Sequence, residues 1–431
     1  MTRNRVIASI ARSGASRMFG SYAFGFVTQG LYFVLIARVL GASEFGLFSG
    51  AIALVSVLAC LVGIGAGNVL VLQSSRDASV LRVQFGTALI YILSSAVPFA
   101  LIALCIGFLS APAFFHVLLP IMISEIFLLR VFDLAQQIFQ AKDQLGRTAV
   151  CGILSSTLRV LAALIFGFMP TPSAADWSVW YASTTALTTL LVLCWAIKIA
   201  GWPLVRLASL KKTWRTGVFF SLGTASRTLY TDSDKFILSS YGLLSASGAL
   251  SAATKILTMA SAPIQAIVYS SNTKLFRAGV LGALSSWMAI KKPLYFVLAY
   301  GTAVGACLFM AAPLIPYILG SSYEVASTYL VWLAPLVVLN GLHYLFGDAL
   351  MGLGKQALRS IVQFLTAIVA VLSNVIFIPI YGPEFALYSA LGCSLALALI
   401  MASVFLSACR RERRTSTVGY SPERVSVGQN D

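Results

Sequence analysis

Long apolar runs follow one another along almost the whole chain, separated by short segments rich in glycine, proline and charged residues. Each run reaches roughly the 20 residues with which an α-helix crosses the hydrocarbon core of a bilayer. We therefore predict about twelve transmembrane helices, at residues 17–38, 46–67, 84–109, 115–139, 148–169, 176–199, 216–239, 246–270, 293–318, 325–351, 357–379 and 385–408. The pattern predicts an all-α integral membrane protein with two six-helix lobes, residues 1–205 and 206–409, and a disordered basic cytoplasmic tail at residues 410–431.

The composition agrees with a bilayer environment. Of the 431 residues, 59% are hydrophobic and only 10% are charged, whereas a soluble domain carries about 25% charged residues. A chain of this composition cannot form a water-facing surface. The seven cysteines lie in or beside apolar segments without CxxC spacing, so neither a disulfide nor a metal site is predicted. No motif indicates a cofactor or a catalytic residue.

The basic residues indicate how the helices are oriented. When the connections are assigned alternately to two sides, most of the 30 Lys and Arg residues fall on one side. They are Arg3, Arg5, Arg12, Arg17, Arg76, Arg82, Lys142, Arg147, Lys198, Arg206, Lys211, Lys212, Arg215, Lys274, Arg277, Lys291, Lys292, Lys355, Arg359 and the arginines from Arg410 onwards. The positive-inside bias makes this side cytoplasmic. We expect a multi-pass protein of the bacterial inner membrane with both termini in the cytoplasm.

The net charge of +16 therefore reflects topology. A nucleic-acid-binding surface would concentrate basic residues in one patch with interleaved aromatic residues. In this chain the basic residues are spread over separate connections. We therefore expect membrane lipids, and no nucleic acid, as partners of these charges.

A weak internal repeat relates the second and eighth predicted spans. Gly46, Leu47, Ser49 and Ala51 align with Gly248, Ala249, Ser251 and Ala253. Small residues at such spacing let helices approach closely in lipid, which is one explanation. The other is a pair of parallel repeats related by an axis along the membrane normal, a plan that recurs among transporters.

Ionisable residues inside the predicted spans are the strongest functional evidence. A charge at bilayer depth costs at least about 2.5 kcal/mol, so such residues usually face a bundle interior or a wet cavity. Along the fourth span, Glu125, Arg130, Asp133, Gln136, Gln137 and Gln140 fall on one helical face. Along the seventh, Thr224, Arg227, Thr228, Thr231 and Lys235 share one side, with Asp232 and Asp234 near its edges. Further polar residues are Arg159 in the fifth span, Lys255 in the eighth, and Asn340, His343, Tyr344 and Asp348 in the tenth.

A purely structural explanation of these charges stays open. Five cations, namely Arg130, Arg159, Arg227, Lys235 and Lys255, stand against five carboxylates, namely Glu125, Asp133, Asp232, Asp234 and Asp348. The two sets can therefore form internal ion pairs throughout.

Three segments carry a family resemblance: ARVLGASEFGLFSGAIALVSVL, GIGAGNVLVLQSSRD and LYTDSDKFILSSYGLLSASGALSAATKIL. Together with the span count they resemble the polysaccharide-biosynthesis flippases of the multidrug/oligosaccharidyl-lipid/polysaccharide (MOP) exporter superfamily, over nearly the whole chain up to about residue 408. The resemblance implies a MATE-like architecture. It also implies a carrier that moves an undecaprenyl-diphosphate-linked oligosaccharide from the cytoplasmic to the periplasmic leaflet by alternating access, for O-antigen, capsule or exopolysaccharide assembly. Polymerase and chain-length proteins of the same route are expected partners.

The candidate residues fit the chemistry of such a substrate. A diphosphate needs cationic donors, and the candidates are Arg130, Arg159, Arg227, Lys235 and Lys255. Sugars need amide and hydroxyl partners, and the candidates are Gln137, Thr231 and Asn340. No Walker GxxxxGK[ST] motif is present, so ATP hydrolysis by this chain is not expected, and a proton gradient, a sodium gradient and the membrane potential stay open as energy sources. The candidate coupling carboxylates are Glu125, Asp232, Asp234 and Asp348.

Two alternative functions stay open. One is a cation-coupled multidrug exporter of the same superfamily, although the balance of buried charge disfavours an acidic drug cavity. The other is a membrane polymerase or ligase. Its chemistry would need a larger external loop with clustered polar residues, and the predicted outer connections are short. We therefore expect a carrier rather than an enzyme.

Overall fold

The computed structural model describes residues 14–110 and 114–418, and this part of the chain is helical without a β-strand. Its first eight helices are α1 Gly14–Ala59, α2 Ala66–Ser74, α3 Leu81–Ser110, α4 Phe115–Met122, α5 Leu129–Ala141, α6 Leu145–Phe166, α7 Ala174–Ala200 and α8 Leu207–Ser240. The other eight are α9 Leu244–Ala260, α10 Ala262–Val280, α11 Ala283–Ala311, α12 Ile315–Leu319, α13 Glu324–Leu333, α14 Leu336–Gly352, α15 Gln356–Tyr381 and α16 Phe385–Val418.

Each predicted span coincides with one of these helices, with part of one, or with consecutive helices. Seven helical stretches of the described residues are long and apolar enough to cross a membrane, and an eighth is formed if α13 and α14, bent by 47°, count as one span. The first of the seven, Val27–Ala59, covers parts of the first two predicted spans. The fourth, seventh and eighth predicted spans are not among these stretches. The fourth is divided by a π turn into helices of 8 and 13 residues, the eighth begins with a helix of only 17 residues, and the seventh is one long helix with many charged and polar residues. The prediction of an all-α membrane protein is confirmed.

The chain divides into two compact units. Over the described residues, unit 1 comprises the segments within 1–253, 313–329 and 371–383, and unit 2 comprises those within 254–312, 330–370 and 384–431. Unit 1 holds α1 to α8 with the start of α9, and unit 2 holds α10, α11, α14 and α16. Unit 1 thus contains segments from both predicted lobes, and the division of the lobes at residue 205 stays a prediction.

The final helix changes the prediction for the C-terminal tail. α16 continues to Val418, so residues 410–418 are helical rather than disordered. One reason is Glu412, whose carboxylate accepts hydrogen bonds from the backbone N–H groups of Ala283 and Leu284 at the start of α11. A carboxylate at a helix N-terminus satisfies free N–H donors there. The rest of the predicted tail and the N-terminal arginines Arg3, Arg5 and Arg12 lie outside the described residues.

A kink divides α1 into two rods. Gly41 adopts φ 70° and ψ 172°, so the helical hydrogen-bond ladder breaks at this residue. Two side chains from the segment between α12 and α13 cover the break within unit 1: Ser322 Oγ accepts from Ala42 N at 3.2 Å, and Tyr323 Oη donates to Ala37 O at 3.0 Å. Tyr323 is fully buried. Backbone groups released by the kink therefore keep hydrogen-bond partners.

The segments of the internal repeat cross each other in unit 1. A Cβ on Gly46 would lie 1.9 Å from Leu244 O, and a Cβ on Gly248 would lie 1.9 Å from Ala42 O. Ser251 Oγ also lies 2.8 Å from Ser49 Oγ. The two glycine contacts are equivalent to each other, because Ala42 and Leu244 each lie four residues before the repeat glycine, and Ser49 and Ser251 are equivalent positions. The arrangement therefore has the form of an isologous, two-fold contact. The repeat thus marks a helix crossing at which a side chain larger than hydrogen has no space.

Candidate functional site

A break in the helical chain of unit 1 opens a polar cavity. Between α1 and α2, Val62–Gly65 forms a single 3₁₀ turn in which Gly63, Ile64 and Gly65 have φ of 74°, 48° and 63°. Glycine adopts this left-handed region freely, whereas a β-branched isoleucine is strained there. Ser95 Oγ accepts from Gly63 N at 2.8 Å, which fixes the turn against α3. Strain of this kind is often found at functional sites.

The cavity encloses about 130 Å³, enough for several water molecules. Its lining is mostly polar and comes from Cys60, the 3₁₀ turn, α2, α3, α5 and α8. The polar and glycine residues of the lining are Cys60, Gly63, Gly65, Gly67, Asn68, Arg130, Asp133, Gln137, Ser221 and Thr224. Arg130 Nη2 and Asp133 Oδ2 form an ion pair of 3.3 Å on α5. Of the predicted residues, the structure therefore brings Arg130 and Gln137 together at this cavity.

Glu125 and Arg159 lie in a second polar group of unit 1. Glu125 is buried and belongs to a π-helical turn, Ile123–Leu128, which separates α4 from α5. Tyr181 Oη donates to Glu125 Oε1 at 2.6 Å. The guanidinium of Arg159 stacks over the ring of Tyr181 at 4.7 Å and reaches Thr185 Oγ1 at 3.5 Å. Tyr181 thus interacts with both the carboxylate and the cation.

We expect Tyr181→Phe to destabilise the protein by about 1.5 kcal/mol, because a buried carboxylate loses a hydrogen-bond donor. The stacking of Arg159 on the ring is retained. The measurement is the fraction of monodisperse protein left in detergent after heating. Tyr317→Phe, which removes a hydroxyl at an 80% exposed position, is the matched control. Equal stability of the two variants would show that the Tyr181–Glu125 bond contributes nothing.

The polar side of α8 contains the next group of predicted residues. Lys235 and Asp232 form an ion pair, and Asp232 Oδ2 also accepts from Thr231 Oγ1 at 3.1 Å. Asp234 is buried and accepts from Lys235 N at 2.8 Å. Arg227 and Thr231 are exposed on the same helix. The carboxylates and the lysine therefore form a local network within two turns of α8.

In unit 2, Asp348 forms a buried ion pair with a cation that the sequence placed elsewhere. Arg359 Nη1 lies 2.6 Å from Asp348 Oδ1, and with its amide correctly oriented Asn272 donates to Asp348 Oδ2 at 2.9 Å. The sequence analysis placed Arg359 on the cytoplasmic side and not among the site candidates, and its membrane side stays a prediction. Arg359 lies in the first turn of α15, from which its side chain reaches Asp348 on α14.

The other predicted residues of unit 2 and of α9 lie apart from this pair. Asn340 Oδ1 accepts from Ser394 Oγ at 3.5 Å, and Gln363 Nε2 lies 2.9 Å from His343 Nε2. Lys255 is exposed on α9. The substrate-binding and coupling roles assigned to all these residues stay predictions.

Sequence reasoning missed Tyr181 and Arg359. A tyrosine inside an apolar span carries a hydroxyl that needs a partner, and this signal was present for Tyr181. Arg359 lies only three residues after the start of α15, and at a helix end the hydropathy of the sequence does not show whether a residue belongs to the connection or to the helix.

The architecture is that of a known class of transporter. A multidrug resistance MATE family transporter of the MOP superfamily, in an inward-facing conformation, matches with a TM-score of 0.72 and 18% identity over 91% of this chain and 96% of its own. The lipid II flippase MurJ, in an inward closed conformation, matches with a TM-score of 0.71 and 14% identity over 96% and 93% of the two chains. A MOP superfamily transporter from Pyrococcus furiosus gives a TM-score of 0.64 at 16% identity over 92% and 94%. The protein is therefore a multi-pass membrane protein with the MOP transporter fold.

The sequence family is shown by a separate match. The family model described as polysaccharide biosynthesis protein matches residues 13–271, which is more than half of the chain. The chain belongs to the polysaccharide biosynthesis protein family. No curated protein matches it. The resemblance noted from the three sequence segments is confirmed.

Proposed function

We propose that the protein is a flippase that moves a polyprenyl-diphosphate-linked oligosaccharide from the cytoplasmic to the periplasmic leaflet of the bacterial inner membrane. The glycan would serve assembly of O-antigen, capsule or exopolysaccharide. One observation carries the proposal: a membrane protein of the polysaccharide biosynthesis family contains a cavity with a guanidinium, a carboxylate and amides inside a compact unit. Polar groups at bilayer depth are costly and usually serve a substrate or ion route.

The substrate has two chemically different parts that need different partners. The diphosphate needs cationic donors. The candidates are Arg130, Arg159, Arg227, Lys235 and Lys255, of which Arg130 and Lys235 already form ion pairs with Asp133 and Asp232. The sugars need amides and hydroxyls, such as those of Gln137, Thr231 and Asn340. The polyprenyl chain stays among the lipids. A cavity of about 130 Å³ is far smaller than an oligosaccharide, so transport requires a second, wider conformation of the protein.

The energy source proposed is an ion gradient across the membrane. Glu125, Asp232, Asp234 and Asp348 are the candidate coupling groups, and no catalytic step is assigned to the chain. Of these four, Asp232 and Asp348 are ion-paired and Asp234 accepts a hydrogen bond from the backbone N–H of the neighbouring Lys235, whereas Glu125 accepts one from the neutral hydroxyl of Tyr181 on another helix. Glu125 is therefore the first residue to test for coupling, by Glu125→Gln. The orientation proposed has both termini in the cytoplasm, with polymerase and chain-length proteins as partners on the periplasmic side.

The direct test is to delete the gene and label lipid-linked oligosaccharides in intact and in lysed cells with a membrane-impermeant reagent. We expect intermediates of the deletion strain to be labelled only after lysis. Complementation with the wild-type gene or with Gly152→Ala, a position with open space around it, should restore labelling in intact cells. Undiminished labelling of intact deletion cells would contradict the proposal.

A further inference from the structure

The cavity beside Arg130 is unsuited to a diphosphate. Among the described lining residues its one cation is already paired with Asp133 at 3.3 Å, and the carboxylate lines the same space. A phosphate oxygen in this space would lie close to that carboxylate, and the two like charges would repel each other. The cavity is close to neutral in charge and rich in hydrogen-bonding groups. This combination differs from the cationic site that a diphosphate requires.

The same lining suits the hydroxyl groups of a sugar. A hydroxyl both donates and accepts, so it needs donors and acceptors side by side. Arg130 supplies donors, Asp133 supplies acceptors, and the amides of Asn68 and Gln137 supply both. The buried Nε of Arg130 has no hydrogen-bond partner among the described residues, so the hydrogen-bonding capacity of this guanidinium is not fully used within the protein. Leu134 adds apolar surface for the C–H face of a ring.

Glycines in the lining let neighbouring protein groups approach the backbone closely. A Cβ on Gly67 would lie 1.7 Å from Gln137 Oε1, so a larger residue there would displace the amide. Gly63 and Gly65 hold the left-handed turn that opens the cavity, and the strained Ile64 lies between them. The backbone strain at Ile64 costs free energy, and the formation of the neighbouring helices does not require it. We relate this strain to the cavity that the turn borders.

We propose that this cavity is a carbohydrate subsite that binds the edge of one sugar ring of the lipid-linked glycan, with the diphosphate held by other cations. The inference rests on the proposed function and refines it. It separates two roles that the sequence had combined: Arg130, expected to hold the diphosphate, becomes a sugar ligand together with Gln137. Asp133, which had no assigned role, becomes the acceptor of the subsite.

The test compares two lipids on the purified protein in detergent. One is a polyprenyl diphosphate without sugar, and the other is the same lipid carrying one N-acetylhexosamine. In the Asp133→Asn variant we expect binding of the sugar-bearing lipid to weaken about tenfold, the equivalent of one charge-assisted hydrogen bond, while binding of the sugar-free lipid is unchanged. Tighter binding of the sugar-free lipid would overturn the proposal and make the cavity a diphosphate site. An unchanged affinity for both lipids would also overturn it.

A second variant keeps all charges. Gly67→Ala pushes Gln137 out of place, and Gly152→Ala adds the same methyl group where nothing lies within 4 Å. We expect the first, and not the second, to weaken binding of the sugar-bearing lipid by about tenfold. Equal affinities of these two variants would contradict the subsite. If the wild-type protein binds neither lipid, the proposed function itself fails, and the two failures are thereby distinguished.

Discussion

Asp348→Leu is expected to destabilise the protein by about 3 to 5 kcal/mol, because it leaves Arg359 as an uncompensated buried cation. The side chains of Asp348 and Arg359 are only 8% and 17% exposed, and their contact is 2.6 Å. Asn272 also loses the carboxylate oxygen to which it donates. The measurement is the temperature at which half of the detergent-solubilised protein stops eluting as a monodisperse peak.

The control is the double variant Asp348→Leu with Arg359→Met. Replacing both members of a buried pair by apolar residues of similar size is often neutral or stabilising, so we expect this variant to recover most of the lost stability. Glu384→Leu removes an exposed carboxylate of the same unit and should have little effect. If Asp348→Leu and Glu384→Leu lose half of their monodisperse peak at the same temperature, the ion pair does not stabilise the protein.

The double variant also separates structure from coupling at Asp348. A protein that regains its stability and its transport activity would have used the carboxylate only as a partner of Arg359. A protein that regains stability without transport would assign the carboxylate a role in coupling.

Gly248→Ala is expected to lower stability by about 1 to 3 kcal/mol through overpacking. Its new Cβ would lie 1.9 Å from Ala42 O, and a backbone carbonyl cannot rotate away as a side chain can. The two helices must therefore separate along their crossing. Gly46→Ala meets Leu244 O at the same distance, so the two single variants should lose similar amounts.

The isologous geometry makes a sharper prediction for the pair. Once one methyl group has separated the helices, the second needs little further movement, so the double variant should lose less than the sum of the two single losses. Gly152→Ala serves as the control, since a methyl group there meets no atom within 4 Å. If Gly248→Ala and Gly152→Ala unfold at the same temperature, the close helix crossing at Gly248 is contradicted.

The positions of the helices were predictable from the sequence, because each apolar run is long enough to cross the bilayer in one direction. The break at Gly41 was predictable, because it lies in the connection between the first two predicted spans, close to Arg38 and Glu44. The turn at Gly63 was not, because it lies inside the predicted span 46–67, and its left-handed φ angle accompanies a contact with Ser95 on another helix. The weak repeat was visible, but only the structure shows that its two copies touch.

The candidate site was predicted as a list of residues and not as an arrangement. The fourth span was treated as one regular helix, which placed Glu125 and Arg130 on the same face. The π turn at Ile123–Leu128 inserts extra residues per turn and changes the register at Glu125. Glu125 therefore contacts Tyr181, whereas Arg130 reaches the cavity. Partner choice for Asp348 depended likewise on how α14 and α15 pack, which hydropathy does not encode.

The hydrogen bonds across the α1 kink have a consequence for protein engineering. Ser322 and Tyr323 satisfy backbone groups of Ala42 and Ala37, although the chain separates them by 280 and 286 residues. A chimera that takes its second half from a relative without hydroxyl side chains at positions 322 and 323 would leave those backbone groups without partners unless residues 320–323 of this chain were kept. Graft boundaries chosen by sequence order alone would therefore cut through a single structural element.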